Sequence, residues 1–284
     1  MGNIYNETMF ILKKYNIMAN KSLGQNFLIN EDVIEKIVDS ANISKDDVII
    51  EIGPGLGTLT KELIEKAKKV IAIELDKRMI HILNDRFSMY DNFELINKDV
   101  LKVDLKSIIK NEKESNKVNN VKIVANLPYY ITTPIIMKLL EDRLDIKSIN
   151  VMVQKEVAKR LTAIPGDKLS GAITYTVNYY CIAKEITEVL NNSFIPEPEV
   201  DSEVIKLEIR KEPPVQVKDE KVFFRVIKAS FMQRRKTLIN GLTNSGLMNK
   251  QDAKNLLIKL GFDEKIRGES LTIEDFAKIS NEIG

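Results

Sequence analysis

Short runs of Val and Ile recur along the first 210 residues, each bounded by polar or turn-forming positions. Val48–Ile52, Val70–Glu74, Phe93–Ile96, Val121–Ala125 and Ile149–Val153 are the clearest. Runs of this length, without strict alternation, predict strands buried on both faces, as in a parallel sheet. Between them the apolar period becomes helical. In 57–69, Leu59, Leu63, Ile64 and Ala67 share one face. In 134–142, Ile135, Ile136, Leu139 and Leu140 do the same behind Pro134, a residue suited to a helix start. Such alternation predicts an α/β fold built on a doubly wound sheet. Segment 171–183 fits a strand by composition and a helix by length. Ile186–Leu190 and Val204–Ile209 read as successive strands joined by a Pro-containing loop, a hairpin-like edge. The polar stretch Lys110–Asn120 is expected to be a solvated loop.

The pattern changes after Arg210. Glu212-Pro213-Pro214 reads as a linker, and only helical periods follow. Phe223, Val226, Ile227 and Phe231 mark one helix; Ala253, Leu256, Leu257 and Leu260 mark another, stopped by Gly261. Thr272-Ile273-Glu274-Asp275 is a capping box ahead of Phe276 and Ile279. The expected organisation is an α/β domain over 1–211, with an N-terminal extension, and a small all-helical domain over 212–284.

Composition narrows the chemistry. One Cys, Cys181, excludes a disulfide framework and a Cys-rich zinc site, and one His, His81, excludes a His-rich metal site. His81 sits at helical spacing in a polar stretch, which suits a helix surface better than a positioned base. The N-terminus lacks a secretory pattern, no run of 18 apolar residues exists, and a reduced cytoplasm fits. Lys+Arg 43 against Asp+Glu 41 gives +2, which taken alone argues against a nucleic-acid binder.

Four segments carry chemistry. Glu51-Ile52-Gly53-Pro54-Gly55-Leu56-Gly57 follows the first strand and opens a helix, so glycine backbone and free amides can approach a ligand. Its G-x-G-x-G spacing differs from the G-x-G-x-x-G of a dinucleotide site. Glu51 would repel a pyrophosphate and favours a ligand whose near end is cationic. Glu74 ends the second strand, 17 residues past Gly57, where a carboxylate can accept both hydroxyls of a ribose. Asp99, backed by Val100, follows the third strand and could accept from an adenine amine. Asn126-Leu127-Pro128-Tyr129 follows the fourth. There the Asn side-chain oxygen and the carbonyl of Leu127 or Pro128 can accept two hydrogens of an amine, and Tyr129 offers a face for a base.

Asn-Leu-Pro-Tyr resembles the motif of amino-group methyltransferases in its ribosomal RNA adenine dimethyltransferase branch. Gln25-Asn26-Phe27-Leu28, Phe194-x-Pro196-x-Pro198-x-Val200-Asp201-Ser202 and Phe231-x-Gln233-Arg234-Arg235-Lys236-Thr237-Leu238 resemble further motifs of the KsgA/RsmA family, in the same order over about residues 20–280. The resemblance implies a Rossmann-like class I methyltransferase sheet with a helical C-terminal domain. It implies S-adenosyl-L-methionine as cofactor, and dimethylation of two adjacent adenosines near the 3′ end of small-subunit (16S) rRNA in immature subunits, by a monomer. Carried over by motif, Asn26, Leu28, Gly53, Gly55, Glu74, Asp99 and Asn126 would meet the cofactor. Asn126, Leu127, Pro128 and Tyr129 would serve the target base, and Arg234, Arg235 and Lys236 the RNA. The chain departs from the family pattern in the 165–172 loop and at Gly268, where Pro is common.

Alternatives are a 23S rRNA adenine methyltransferase of the antibiotic-resistance type, a non-catalytic assembly factor that kept the fold, and a DNA adenine methyltransferase. The Gln-Arg-Arg-Lys-Thr-Leu segment argues against the first. Intact Glu74, Asp99 and Asn-Leu-Pro-Tyr argue against the second, and Asn at the head of the motif against the third. Charge placement also changes the picture. Residues 221–251 hold seven Lys/Arg and no Asp or Glu; without them 36 basic residues face 41 acidic ones, a net of −5. The near-neutral total thus conceals a basic helical segment on a mildly acidic body.

Overall fold

A computed structural model describes residues 3–20, 23–116, 118–233 and 235–284. The elements are α1 (Asn3–Lys14), β1 (Phe27–Leu28), α2 (Glu31–Ala41), β2 (Asp47–Ile52), α3 (Thr58–Lys66), β3 (Lys69–Glu74), α4 (Lys77–Phe87), β4 (Phe93–Asn97) and α5 (Leu105–Asn116). There follow β5 (Asn120–Asn126), α6 (Thr132–Glu141), β6 (Ser148–Gln154), α7 (Lys155–Thr162), α8 (Ala172–Tyr180), β7 (Cys181–Val189), β8 (Phe194–Ile195) and β9 (Ser202–Ile209). The chain ends in α9 (Glu220–Phe231), α10 (Leu238–Asn244), α11 (Lys250–Lys259) and α12 (Ile273–Ile283). Two compact units result: 1–158 with 184–209, and 159–183 with 210–284.

In the first unit the five predicted strands all form and pair in parallel within a seven-stranded sheet of order β4-β3-β2-β5-β6-β9-β7. Register explains why continuous Val/Ile runs were needed. Ile71, Ile50, Ile123, Ile149 and Leu207 lie opposite one another across five strands, all fully buried. The alternate positions Ile49, Val70, Val124, Met152 and Val204 join a core with the apolar faces of α2, α3 and α4. β9 enters antiparallel to β6, so the expected hairpin-like edge is inserted beside the parallel strands. The short β1 pairs antiparallel with β8, which places Phe27 and Leu28 against Ile195 and Phe194.

One sequence expectation changes, and one open reading is resolved. Most of Lys110–Asn120 is not a loop but the end of α5. Its buried positions are Leu105, Ile109 and Glu112, and Glu112 is held by Lys69 at 2.6 Å, so a charged residue interrupts the apolar signal. Segment 171–183 divides into α8 and the start of β7.

The second unit is built around α9–α12 with α8. Tyr175 and Tyr179 of α8 are buried among Phe223, Val226, Leu257 and Phe276, which is why 159–183 clusters here rather than with the α/β body. The Tyr175 hydroxyl donates to the Leu271 carbonyl at 2.5 Å. The predicted capping box forms, with Thr272 and Asp275 each accepting from the other's backbone N–H. Gly268 packs so closely on Ser230 that a Cβ would stand 2.8 Å from that residue's Cβ, a local reason for glycine at this position. Among the described residues no helix is long and apolar enough to cross a membrane, and no cluster of His, Cys, Asp and Glu could hold a metal.

Candidate active site

The sheet's carboxyl-terminal edge opens into a cleft of about 1180 Å³, counting its open mouth. Ligands of open α/β sheets sit at this edge, because strand-end loops diverge there and helix N-termini present free amides. Residues from 23–28, the β2–α3 loop, the ends of β3 and β5 and the segment after β4 line it.

Gly53, Gly55 and Gly57 take positive φ of 69°, 58° and 82°, so the loop can turn tightly and bare its backbone. At Gly57, the N-cap of α3, a Cβ would also strike the Phe87 ring at 2.4 Å. Glu74 is buried at the carboxyl end of β3. Its carboxylate accepts from the amides of Leu75 and Asp76, both at 2.8 Å, and of Gly55 at 3.2 Å. It therefore shapes the glycine loop as well as facing the cleft. Burial holds its carboxyl above the ordinary range despite those three donors.

Glu51 is the most perturbed acid of the site. It lines the cleft and is fully buried, yet its Oε2 has no hydrogen-bond partner. Burial, with the Glu74 charge adding to it, pushes its carboxyl up to about 8. An orphaned acceptor of this kind fits a ligand bearing a cationic nitrogen. Asp99 is half-buried, and one of its oxygens caps the following turn by accepting from Leu101 N–H at 3.0 Å.

Asn126 ends β5 with its amide donating weakly to the Asn26 carbonyl at 3.4 Å, which leaves its side-chain oxygen as an acceptor. The structure distinguishes the two carbonyls beside it. That of Pro128 already accepts from Ile131 N–H at 3.2 Å and from the Thr132 hydroxyl at 3.0 Å. Among the described residues nothing donates to that of Leu127. Leu127 is itself buried and its N–H bonds Met152 O, so its carbonyl is rigidly placed. Tyr129 is half-buried, and its hydroxyl meets that of Ser202 at 2.6 Å.

The predicted residues Asn26, Leu28, Gly53, Gly55, Glu74, Asp99 and Asn126–Tyr129 thus share one cleft. Arg235 and Lys236 are exposed in the turn between α9 and α10 of the helical unit, and Arg234 lies outside the described residues. His81 is exposed on α4, away from the cleft lining. Sequence reasoning missed Ser202 as a partner of Tyr129, and Tyr130 as a lining residue. It also missed the brace formed by Gln25, Asp76 and Arg78. Gln25 donates to Asp76 at 2.9 Å, and Arg78 grips the same carboxylate at 2.5 Å. Asp76 carried a signal, since an Asp just before a helical period marks an N-cap.

The chain matches the family model described as ribosomal RNA adenine dimethylase over residues 16–284. It is 52% identical over 274 residues to a protein of Clostridium botulinum named ribosomal RNA small subunit methyltransferase A, covering 96% of this chain and 97% of that one. A protein of the same name from Geobacillus kaustophilus is 52% identical over 277 residues, covering 96% and 94%. Among solved structures, a dimethyladenosine transferase from Plasmodium falciparum superposes with a TM-score of 0.73 at 30% identity, covering 89% of this chain and 95% of that one. The 23S rRNA methyltransferase ErmE shares the fold, with a TM-score of 0.68 at 23% identity, covering 91% and 99%. Near-complete coverage at this identity, together with the cleft at the sheet's edge, leads to one conclusion: the chain belongs to the ribosomal RNA adenine dimethylase family.

Proposed function

We propose that this protein dimethylates the exocyclic amines of two adjacent adenosines near the 3′ end of 16S rRNA, in immature small subunits, with S-adenosylmethionine as methyl donor. The observation that carries this reading is the pair of acceptors at the end of β5. The Asn126 side-chain oxygen and the unengaged Leu127 carbonyl stand on one cleft with Glu51, Glu74 and Asp99.

Those acids suit the donor. Glu51, whose Oε2 has no partner, would take its cationic amino end, Glu74 its ribose hydroxyls and Asp99 its adenine amine, with Asn26, Leu28, Gly53 and Gly55 closing around it. When bound, the donor supplies a methyl group activated on a sulfonium. The protein's part is to present the adenine nitrogen in line. Its lone pair is delocalised into the ring; two acceptors drawing on its two hydrogens favour a more tetrahedral nitrogen and free that pair. No strong base is required, because the alkylated nitrogen is itself acidic. Tyr129 would stack on the target base once it leaves its own stack. Arg235 and Lys236 would contact phosphates. On this reading the protein acts as a monomer in a reduced cytoplasm, where the substrate is found.

The test is transfer of tritiated methyl groups to unmethylated small subunits and, in parallel, to large subunits, followed by mapping of the modified nucleotides. Label on two neighbouring adenosines of 16S rRNA is expected from the unaltered protein and is expected to be lost in Asn126→Ala. Label confined to large-subunit rRNA, or none, would refute the reading.

A further inference from the structure

Tyr129 and Tyr130 are adjacent in sequence but differ in surroundings. Tyr129 is half-buried and tied through its hydroxyl to Ser202. Tyr130 also lines the cleft, yet it is 58% exposed. Among the described residues no other ring packs on it and no hydrogen bond engages its hydroxyl. Its ring is nevertheless held. Gly24 takes φ +58°, and a Cβ there would lie 3.2 Å from Tyr130 Cδ1, so the ring rests on glycine backbone in the segment that precedes Gln25. Single exposed apolar side chains are ordinary on protein surfaces. An aromatic ring set against glycine backbone, more than half exposed and lining the cleft proposed to receive a base, is a different arrangement.

We infer that Tyr130 is a stacking platform for the nucleotide next to the adenosine being methylated. The inference rests on the function proposed above and adds a second base subsite to the same cleft. When one of two neighbouring adenines swings into the cleft, the other loses a stacking face. An anchored ring at the rim supplies a replacement and holds the strand so that the reacting base stays presented. Stacking tolerates any base because every base has a π-face, so the platform also serves after the neighbour has been dimethylated.

The experiment compares Tyr130→Ala, Tyr130→Leu and Tyr130→Phe in steady-state methyl transfer to unmethylated small subunits, with cofactor titration of each variant. Tyr130→Ala is expected to raise KM for the subunits about tenfold or more, the scale of one lost base–aromatic stack, while cofactor affinity stays within about twofold. Tyr130→Phe should restore KM, and Tyr130→Leu, which keeps apolar bulk without a ring, should not. Unchanged cofactor affinity also reports that each variant is folded. An unaltered KM in Tyr130→Ala, or rescue by Leu as complete as by Phe, overturns the platform alone. Absence of methyl transfer by the unaltered protein overturns the underlying reading as well.

Discussion

The hydroxyl of Tyr129 lies 2.6 Å from the hydroxyl of Ser202, and this contact joins the loop after β5 to the first residue of β9. Ser202 is fully buried and faces Gln154 in the sheet register, so it is a fixed point. The ring proposed to stack on the target base is thereby held by a strand about seventy residues further along the chain. Burial raises the Tyr129 hydroxyl above its ordinary range.

Ser202→Ala leaves that hydroxyl without its partner. The expected cost is about 1–3 kcal/mol of stability for an unsatisfied half-buried group. The methyl-transfer rate should fall several-fold, with cofactor affinity unchanged. Tyr129→Phe removes the other half of the pair, and the double variant should lose less stability than the two single variants added together. Strict additivity in thermal unfolding would show that the contact contributes nothing.

Glu51 makes stability depend on pH in a defined direction. Its carboxyl stands at about 8 in the folded chain against an ordinary value of 4.5, so the folded state holds the extra proton between those limits. Stability of the ligand-free protein should therefore fall as pH rises from 4.5 to about 8 and level off above it. Glu51→Gln should flatten the curve. A cationic amino group docking on Glu51 would release its proton near pH 7. Calorimetry of cofactor binding in buffers of different ionisation enthalpy should detect that release in the unaltered protein and not in Glu51→Gln.

Glu74 carries two loads, the backbone of the glycine loop and the expected ribose contact. Glu74→Ala should weaken cofactor binding about 10- to 100-fold, the scale of a lost charge-assisted hydrogen bond or two. Calorimetry that finds affinity unchanged would remove the ribose role.

Arg235 and Lys236 are exposed within the 221–251 segment, which is rich in basic residues. Replacing both with Ala should weaken binding to immature small subunits. It should also lower the slope of log affinity against log salt by about one to two, the value for two lost phosphate contacts. An unchanged slope would make this turn an ordinary solvated surface.

Several features were legible from local sequence. The five parallel strands were, because strands buried on both faces must be continuously apolar. The glycine loop was, because positive φ demands glycine. Glu74, Asp99 and Asn126 could be placed at one edge because each follows such a strand, and a parallel sheet brings its strand ends together. The α5 helix was hidden because Glu112, a charge, occupies a position an apolar residue would normally mark, and its compensation by Lys69 comes from another strand. Segment 171–183 was ambiguous because its tyrosines suit either structure until the helical core takes Tyr175 and Tyr179.

What the chain determined alone is whatever depends on a residue and its near neighbours: strand composition, helix period, caps, turns and the order of the motifs. What only tertiary structure decided is which groups are satisfied and which are left open. Two candidate carbonyls stand side by side in sequence, but folding occupies that of Pro128 and leaves that of Leu127. Two tyrosines stand side by side, but one is tied to Ser202 and the other faces solvent from a glycine backing. Glu51 is an ordinary acid in sequence and becomes an orphaned, perturbed one only when the sheet closes over it. Desolvation and hydrogen-bond partnering are set by residues distant in the chain, so no local pattern encodes them.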